Sequence, residues 1–376
     1  NGDGSYQFGM GGSMTMLPDA VENTVGNSEV TWEKVRKQNY GIDLKMFGAR
    51  LSLTADYFFE HRYDILSTRN TLPSIVAIEL PLINLGEVDN RGYEISLGWN
   101  SRAEKIDWWV QGNVSYSKNK IIFMDEVMPN YPWMAQTGRS TGLNYGYRFD
   151  RFLRADDFDA DGALKTDGEG KPLLPVMSLG SPRPGDALFK DLNGDGKIDG
   201  NDKTYFGYSQ RPDYVLGLLG GFRYKNFEIS MQWTAGLHAS RMLSGEYRNA
   251  FGSTNGRALL KFLADGRWTP ENPDARFPRL TFLNKSHYLE DSDLWLMDGS
   301  YLRLKVAEIG YTFRDIPAFR KVGVKSLKVY FSGYNLLTLF SELNDIDIDP
   351  EGATSGSNID SYPNVRIFNF GVNITF

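Results

Sequence analysis

The last nine residues of the chain alternate strictly between apolar and polar side chains. The apolar ones, which would share one face of an extended segment, are Phe368, Phe370, Val372, Ile374 and Phe376. Small or polar residues occupy the positions between them. Because successive side chains of a β-strand lie on opposite faces of a sheet, this pattern predicts a strand with one apolar and one polar face. A protein built from such strands must cover its apolar face with protein or with lipid.

The same alternation recurs along most of the 376 residues. It predicts strands within the stretches 42–46, 51–59, 93–99, 108–116, 214–224, 227–235, 302–313, 327–331 and 368–376. A weaker strand around Tyr6, Phe8 and Met10 makes ten, and we expect about eleven strands in all. In the stretch 302–313 the alternation changes phase near Glu308, which predicts a β-bulge there. The predicted fold class is all-β and antiparallel.

The composition agrees with strands and turns, and it excludes several classes of protein. Aromatic residues make up 14% of the chain and Gly numbers 39, whereas His numbers only 3 and Cys is absent. The absence of Cys excludes disulfides, thiolate zinc sites and cysteine nucleophiles. No apolar run reaches the roughly 18–20 residues that a membrane-spanning helix needs. The formal charge is −6 and no basic block stands out, so nucleic acid is not expected as a partner.

Two architectures have strands with one apolar and one polar face. A soluble β-sandwich or solenoid buries the apolar face, whereas a transmembrane β-barrel turns it towards lipid. Strands of about ten residues, aromatic residues at strand ends and unequal connections favour the barrel. The turns at Gly48-Ala49 and Lys225-Asn226 are tight, while the loops from Met124 to Pro212 and from Leu237 to Gly299 are long. We expect these long loops to lie on the external side of the membrane.

A calcium-binding motif lies within the first long loop. Residues 191–202 read DLNGDGKIDGND, with Gly at position 6 and Ile at position 8, as in an EF-hand loop. The predicted ligands, by side chain or by the Lys197 carbonyl, are Asp191, Asn193, Asp195, Lys197, Asp199 and Asp202. Position 12 is Asp rather than Glu, as in dockerin modules, so we expect a structural calcium ion rather than a sensor. A solvated acidic turn without metal is the alternative.

No other motif indicates catalysis, so the chain is not expected to be an enzyme. The acidic stretch 157–168 lacks ligands at positions 9 and 12 of a calcium loop and is interpreted as a solvated turn. His61, His238 and His287 lie far apart in the sequence, outside any metal or nucleophile motif. A short amphipathic helix is predicted at 257–265. Loop aromatics that could stack on a sugar or peptide, or cap a barrel rim, are Tyr131, Trp133, Trp268 and Trp295.

Several segments, taken in order, resemble the carboxy-terminal part of the SusC/RagA family of TonB-dependent outer-membrane transporters. They read LGEVDNRGYE at 85–94, KDLNGDGKID at 190–199, GRWTPENP at 266–273, YLRLK at 301–305, GYT at 310–312, VYFSGYNLLT at 329–338 and GVNITF at 371–376. Gly185-Asp186, Asn201-Asp202 and Tyr362-Pro363 belong to the same pattern. The resemblance extends over nearly the whole chain.

The resemblance implies a 22-stranded barrel in the outer membrane of a Gram-negative bacterium, closed by an amino-terminal plug. It also implies a SusD-like surface lipoprotein as partner and import of glycans or peptides with energy from TonB. Residues 1–376 would then be a carboxy-terminal portion of the barrel, and TonB would act through an amino-terminal region missing from this chain. Two alternatives remain. One is a structural or docking subunit of a larger outer-membrane assembly, and the other is a soluble, calcium-stabilised β protein that binds glycans.

Overall fold

The main element of the fold is one antiparallel sheet of nine strands, in which each strand pairs with the strands before and after it in the sequence. The computed structural model describes residues 4–8, 15–19, 26–71, 81–102, 106–178, 180–251, 259–282, 286–314, 316–321, 323–352 and 364–376. The strands are β1 (Lys34–Met46), β2 (Leu51–Ser67), β3 (Ile83–Arg102), β4 (Ile106–Phe123), β5 (Tyr214–Tyr224), β6 (Phe227–Leu237), β7 (Tyr301–Arg314), β8 (Ser326–Leu339) and β9 (Ile367–Thr375). This up-and-down order confirms the predicted all-β, antiparallel class.

The connections between these strands are short at one end of the sheet and long at the other. The β1–β2 turn spans 47–50, and β5 joins β6 through Lys225 and Asn226 alone. Ala49 and Lys225 adopt φ values of 64° and 54°, the left-handed conformation that tight hairpin turns require. The long connections are 68–82, 124–213, 238–300 and 340–366. In bacterial outer-membrane barrels the short turns face the periplasm and the long loops face outward.

One bulge lies elsewhere than the sequence predicted. Glu308 pairs regularly with Ser230 and Ser332, so the prediction of a bulge there was wrong. The register of β7 shifts between Leu304 and Val306 instead: Lys305 is an extra residue in the pairing with β6, and in the pairing with β8 it stands opposite Asn335 and Leu336. Val306 and the residue after it are both apolar, so alternation alone does not locate the break.

The apolar face of the sheet is continuous and uncovered by protein. Directly paired residues of neighbouring strands share a face, so the register aligns apolar side chains across the sheet. One such row, in strand order from β1 to β7, consists of Leu44, Leu53, Leu97, Gly112, Leu218, Trp233 and Leu304. Leu97 is 51% exposed and Ile374 on the edge strand β9 is also 51% exposed. Apolar side chains are exposed to this extent along all nine strands of the sheet. This exposure matches the lipid-facing band of a barrel.

A row of tyrosines crosses five strands on the same face, towards the long-loop end. The register pairs these residues in sequence from β1 to β5: Tyr40, Tyr57, Tyr93, Tyr116 and Tyr214. The rings of Tyr116 and Tyr214 have centroids 4.6 Å apart, and those of Tyr93 and Tyr116 are 5.4 Å apart. Aromatic girdles of this kind mark the boundary between hydrocarbon and headgroups in outer-membrane barrels. We call these five residues the tyrosine row.

Smaller elements surround the sheet. The short strands are Gly4–Phe8, Thr15–Asp19, Asn144–Gly146, Phe149–Phe152, Val176–Met177, Ala187–Phe189, Lys197–Ile198, Thr204–Phe206, Ser240–Met242 and Leu296–Asp298. The α-helices are α1 (Lys261–Asp265), α2 (Ser286–Leu289) and α3 (Pro317–Lys321). The 3-10 turns are Pro132–Met134, Ala155–Asp157, Gly200–Asp202, Gly245–Tyr247, Asp293–Trp295 and Glu342–Ile346. Within the described ranges, no helix has the length and apolar character to cross a membrane.

Candidate functional site

The face of the sheet opposite the apolar one carries charged and polar side chains. Lys328 Nζ lies 2.8 Å from Glu308 Oε1 and 3.7 Å from Glu228 Oε2, which joins strands β6, β7 and β8 by charge. Lys37 Nζ of β1 lies 2.8 Å from Glu60 Oε1 of β2. These charged side chains are only partly buried, so they remain in contact with water. A polar face of this kind suits the wet interior of a barrel.

The hydrophobic core of the molecule lies in the long loops and not on the sheet. Parts of the loops 124–213, 238–300 and 340–366 pack together, and we call this packed body the cap. Its most deeply buried apolar side chains include Phe152, Leu153, Phe189, Ile198, Leu243, Leu263, Tyr288, Leu294, Trp295 and Leu343. Loops with their own buried core hold a fixed shape, which a binding surface requires.

An ion pair lies inside the cap and joins its two largest loops. Asp186 is fully buried, and its Oδ1 accepts a hydrogen bond from Arg279 Nε at 2.6 Å. The preceding residue, Gly185, has a φ of +86°, and a Cβ there would lie 2.5 Å from the Trp268 ring. Glycine is required at this position by both the backbone conformation and the close approach of the ring. The motif Gly185-Asp186 therefore builds the cap rather than a binding surface.

Two of the loop aromatics considered as possible substrate contacts are core residues. Trp268 is 8% exposed and Trp295 is 1% exposed, so neither presents a free ring to a ligand. Burial also raises the pKa of the neighbouring Tyr288 to about 12. Tyr131 and Trp133 stack on each other with centroids 4.5 Å apart, and Trp133 Nε1 donates a hydrogen bond to the Asn201 carbonyl at 2.8 Å. This pair braces the predicted calcium loop.

A third loop is joined to the polar face of the sheet through Arg303. This arginine of β7 is 3% exposed, and its Nη2 and Nη1 lie 2.7 Å and 2.9 Å from Asp349 Oδ1 and Glu351 Oε2. Burial by itself would raise the pKa of Asp349, but hydrogen bonds from Arg303 and from backbone amides hold that pKa below its ordinary value. The described first part of this loop, residues 340–352, is therefore fixed to the polar face at the long-loop end of the sheet.

A polar pocket of about 300 Å³ opens beside this contact. Its lining includes Arg303, Asn335, Asn344, Asn364 and Arg366. Asn335 Oδ1 is buried and has no hydrogen-bond partner among the residues that the structure describes. Amide and guanidinium groups that line one cavity can donate and accept hydrogen bonds to hydroxyl or amide groups of a solute. The pocket is thus a candidate place for contact with a polar solute.

The predicted calcium loop adopts a tight turn held by its own side chains. Asp191 accepts backbone N–H groups of Gly194 and Gly196 at 2.7 Å and 2.8 Å. Asp202 is fully buried and accepts N–H groups of Leu192 and Asp199 at 2.7 Å and 2.9 Å. Asn193, Asp195 and Asp199 each accept a backbone N–H two residues further on. The loop is thus folded round its oxygen atoms, and Ile198 anchors it in the cap core.

The carboxylate oxygens of Asp191 and Asp195 each accept one hydrogen bond and retain a lone pair, whereas Asp202 Oδ1 accepts the N–H groups of both Leu192 and Asn193. Oxygen atoms with a spare lone pair suit a hard cation. In the described parts of the chain, however, no three His, Cys, Asp or Glu side chains converge closely enough to hold a metal ion. The calcium site therefore stays a prediction. The second acidic stretch also forms turns, in which Asp159 accepts the N–H groups of Asp161 and Ala163 at 3.0 Å and 2.9 Å.

The three histidines lie in separate places and form no common site. His61 Nδ1 lies 2.7 Å from Asp89 Oδ1 on the sheet, and His238 stacks on Tyr208 with centroids 4.5 Å apart. His287 is buried in the cap, where its Nε2 lies 3.0 Å from the Gly180 carbonyl. Of the helix predicted at 257–265, the structure shows α1 over Lys261–Asp265; residues 259 and 260 are not helical, and residues 252–258 lie outside the described part.

The Arg303 contact and the tyrosine row were not singled out from the sequence. Arg303 gives little signal, because a charged residue between the apolar Leu302 and Leu304 is what an alternating strand predicts. The five tyrosines lie in five different strands, and only the register of the sheet shows that they form a row. Both features depend on pairing between distant segments.

Comparison with known proteins agrees with this geometry. The β-barrel domain described as "TonB dependent receptor-like, beta-barrel" matches residues 3–336. TonB-dependent receptor P3 of Formosa agariphila is 30% identical in an alignment of 376 positions, gaps included. The alignment covers 93% of this chain and 35% of that protein. TonB-dependent receptor SusC of Bacteroides thetaiotaomicron is 24% identical, with 99% and 34% covered. The chain thus spans about a third of the length of these curated relatives.

A solved structure shows the same fold. The RagAB peptide importer in its open-open state aligns with a TM-score of 0.67 at 19% identity, covering 99% of this chain and 37% of that one. Proteins of the matched family are non-enzymatic transport proteins of the Gram-negative outer membrane. With nine strands that present an apolar outer face, the tyrosine row and long loops at one end, this chain belongs to the TonB-dependent receptor family, as part of its β-barrel.

Proposed function

We propose that the full-length protein imports a glycan or a peptide across the outer membrane with energy from TonB, together with a SusD-like surface lipoprotein. This chain would supply nine strands of the barrel wall and the external cap. The observation that carries the proposal is that the cap, with its own buried core, is fixed through Arg303 to the polar interior face of the same wall. A binding surface on the cap, at the outer opening of the barrel, would thereby be connected to the path through the barrel.

The relatives support this class of substrate. One structural relative is described as a peptide importer, and one sequence relative is SusC. The polar pocket beside Arg303 offers amide and guanidinium groups, which can recognise the hydroxyl groups of a sugar or the backbone of a peptide. The lipoprotein would bind the outward surface of the cap, which a fixed core keeps in one shape.

Uptake in cells tests the proposal. We expect cells that express the full-length protein to take up at least one labelled oligosaccharide or oligopeptide from a panel. Uptake should be lost when TonB is deleted, and a tagged receptor should co-purify one surface lipoprotein. The control is a strain that lacks only this receptor. If the lipoprotein co-purifies but uptake does not depend on the receptor or on TonB, the protein is a docking subunit and the import proposal fails.

We also propose that the loop Asp191–Asp202 binds one structural calcium ion. The support is its ligand spacing, the spare lone pairs of Asp191 and Asp195, and the brace formed by Trp133 on the Asn201 carbonyl. When bound, the ion would hold the loop oxygens together and stiffen this side of the cap. Extracellular sites of this type bind calcium at about 10⁻⁴–10⁻³ M.

Calcium at 10 mM, roughly a hundred times the tighter of those constants, is expected to stabilise the loop by about 2.7 kcal/mol. Asp195→Ala, which removes an exposed ligand, should abolish this gain, while Asp161→Ala in the second acidic turn should leave it unchanged. Protease cleavage rates within 191–202, with and without calcium, measure the effect. Equal protection of the Asp195→Ala variant, or none in the native protein, would count against the site.

A further inference from the structure

An apolar groove of about 590 Å³ runs along the outer face of the sheet, just below the tyrosine row. It lies across the strands from β3 to β7, and its walls include Leu97, Val114, Leu216, Trp233 and Leu302. The groove exists because Gly112, between Leu97 and Leu218 in the register, supplies no side chain. A Cβ at Gly112 would meet nothing nearer than Leu218 Cδ1 at 3.8 Å. The volume lies in the range of about 300–1,000 Å³ that ligand pockets occupy.

Two cations stand directly above this groove, on the external side of the tyrosine row. Arg91 and Lys118 are paired in the register of β3 and β4, two residues beyond Tyr93 and Tyr116. Both are exposed on the apolar face, at the level where headgroups lie. Like charges placed directly opposite on neighbouring strands repel each other. Asp213 compensates the charge of Lys118, so the uncompensated positive charge at this level is that of Arg91.

Only one of the two cations has a carboxylate partner. Lys118 Nζ lies 3.2 Å from Asp213 Oδ2, and Lys118 also stands 6.0 Å from the Tyr208 ring centroid. Arg91 forms no ion pair with any residue in the described part of the chain. A guanidinium with five free N–H donors beside a membrane boundary is suited to a phosphate group, which it can bind by two hydrogen bonds.

We propose that the groove and the Arg91–Lys118 pair together bind one phosphorylated glycolipid of the outer leaflet, of the lipid A type. One acyl chain would lie in the groove at Gly112, against Leu97 and Leu218. A headgroup phosphate would lie between Arg91 and Lys118, and the sugar would rest on the rings of the tyrosine row. Along the membrane normal, the apolar groove, the tyrosine row and the positive charge follow in the same order as the acyl chain, the sugar and the phosphate of the lipid.

Native mass spectrometry of the full-length receptor in mild detergent tests this site, with purified lipid A as the probe. Each cation near a membrane surface contributes about a fivefold factor to the binding of anionic lipid. The double variant Arg91→Gln with Lys118→Gln should therefore bind lipid A about 5- to 25-fold more weakly, the smaller factor applying if Asp213 already neutralises Lys118. Gly112→Leu, which fills the groove, should also weaken it. Lys225→Gln, at the opposite rim, is the matched control and should bind as the native protein does.

Three results would overturn the proposal. One is an unchanged affinity of the double variant for lipid A. Folding of the variant barrel is checked by its heat-modifiable mobility on a gel. Another is binding of dephosphorylated lipid A as tight as that of lipid A, which would exclude a phosphate contact. The third is equally tight binding of phosphatidylethanolamine, which would show that the face takes up any membrane lipid.

Discussion

Asp186→Ala is expected to destabilise the cap by about 3–5 kcal/mol, the usual effect of removing one member of a buried ion pair. Asp186 is fully buried and Arg279 is 16% exposed, with 2.6 Å between Oδ1 and Nε. The variant leaves the Arg279 guanidinium buried without this carboxylate. The Arg183 amide also loses its acceptor, Asp186 Oδ2 at 2.9 Å. Because the ion pair joins two loops, both should open while the sheet stays folded.

Hydrogen exchange of the cap amides measures this change directly, because the exchange rate of each amide distinguishes local opening of the cap from unfolding of the barrel. Asp274→Ala is the matched control. Asp274 also pairs with an arginine, Arg154 at 2.9 Å, but its side chain is 84% exposed. Removing such a surface pair changes stability by about 0–1 kcal/mol. Equal exchange rates in the two variants would show that the buried pair does not hold the cap.

Leu218→Arg is expected to cost about 2–4 kcal/mol of barrel stability in a bilayer, because it places a charge at mid-height on the lipid face. Leu218 is 47% exposed, pairs with Gly112 and Trp233, and lies on the wall of the apolar groove. The loss should be similar in size for Val372→Arg on β9, which is 48% exposed on the same face. Urea unfolding of the full-length protein in lipid vesicles gives the difference in free energy.

The neighbouring residue provides a matched control for this prediction. Leu219 is the same residue type and is 41% exposed, but it pairs with Gln111 and Gln232 on the polar face. Leu219→Arg should therefore cost much less than Leu218→Arg, since a charge there meets water. If the two variants lose the same stability, the apolar face does not meet lipid.

The strands and tight turns could be predicted from the sequence because their signals are local. Alternation in 227–235 and 368–376 identifies β6 and β9, and Lys225-Asn226 identifies the turn between β5 and β6. The bulge of β7 could not be placed, because it is defined by pairing with β6 and β8 rather than by the sequence of β7 alone.

The cap could not be predicted, because its core joins segments that lie far apart in the chain. Trp268 and Trp295 were interpreted as possible substrate contacts, since a tryptophan in a polar loop gives no local sign of what covers it. The structure packs them with Phe277 and Leu263, and the ion pair of Asp186 joins residues 93 positions apart. Composition alone therefore suggests an accessible aromatic surface where the fold builds a core.

Single-cysteine labelling in cells tests most directly whether this chain is a membrane wall with its cap outside. The 376 residues contain no Cys, so each label reports one position once any cysteines elsewhere in the full-length protein have been replaced by Ser. We expect Asp161→Cys, in an exposed loop turn, to react with a membrane-impermeant maleimide on intact cells. Arg50→Cys, in the β1–β2 turn, should react only after the outer membrane is permeabilised, and Leu218→Cys only with a lipid-soluble reagent. Labelling of Arg50→Cys but not Asp161→Cys on intact cells, or of Leu218→Cys by the impermeant reagent, would contradict this arrangement.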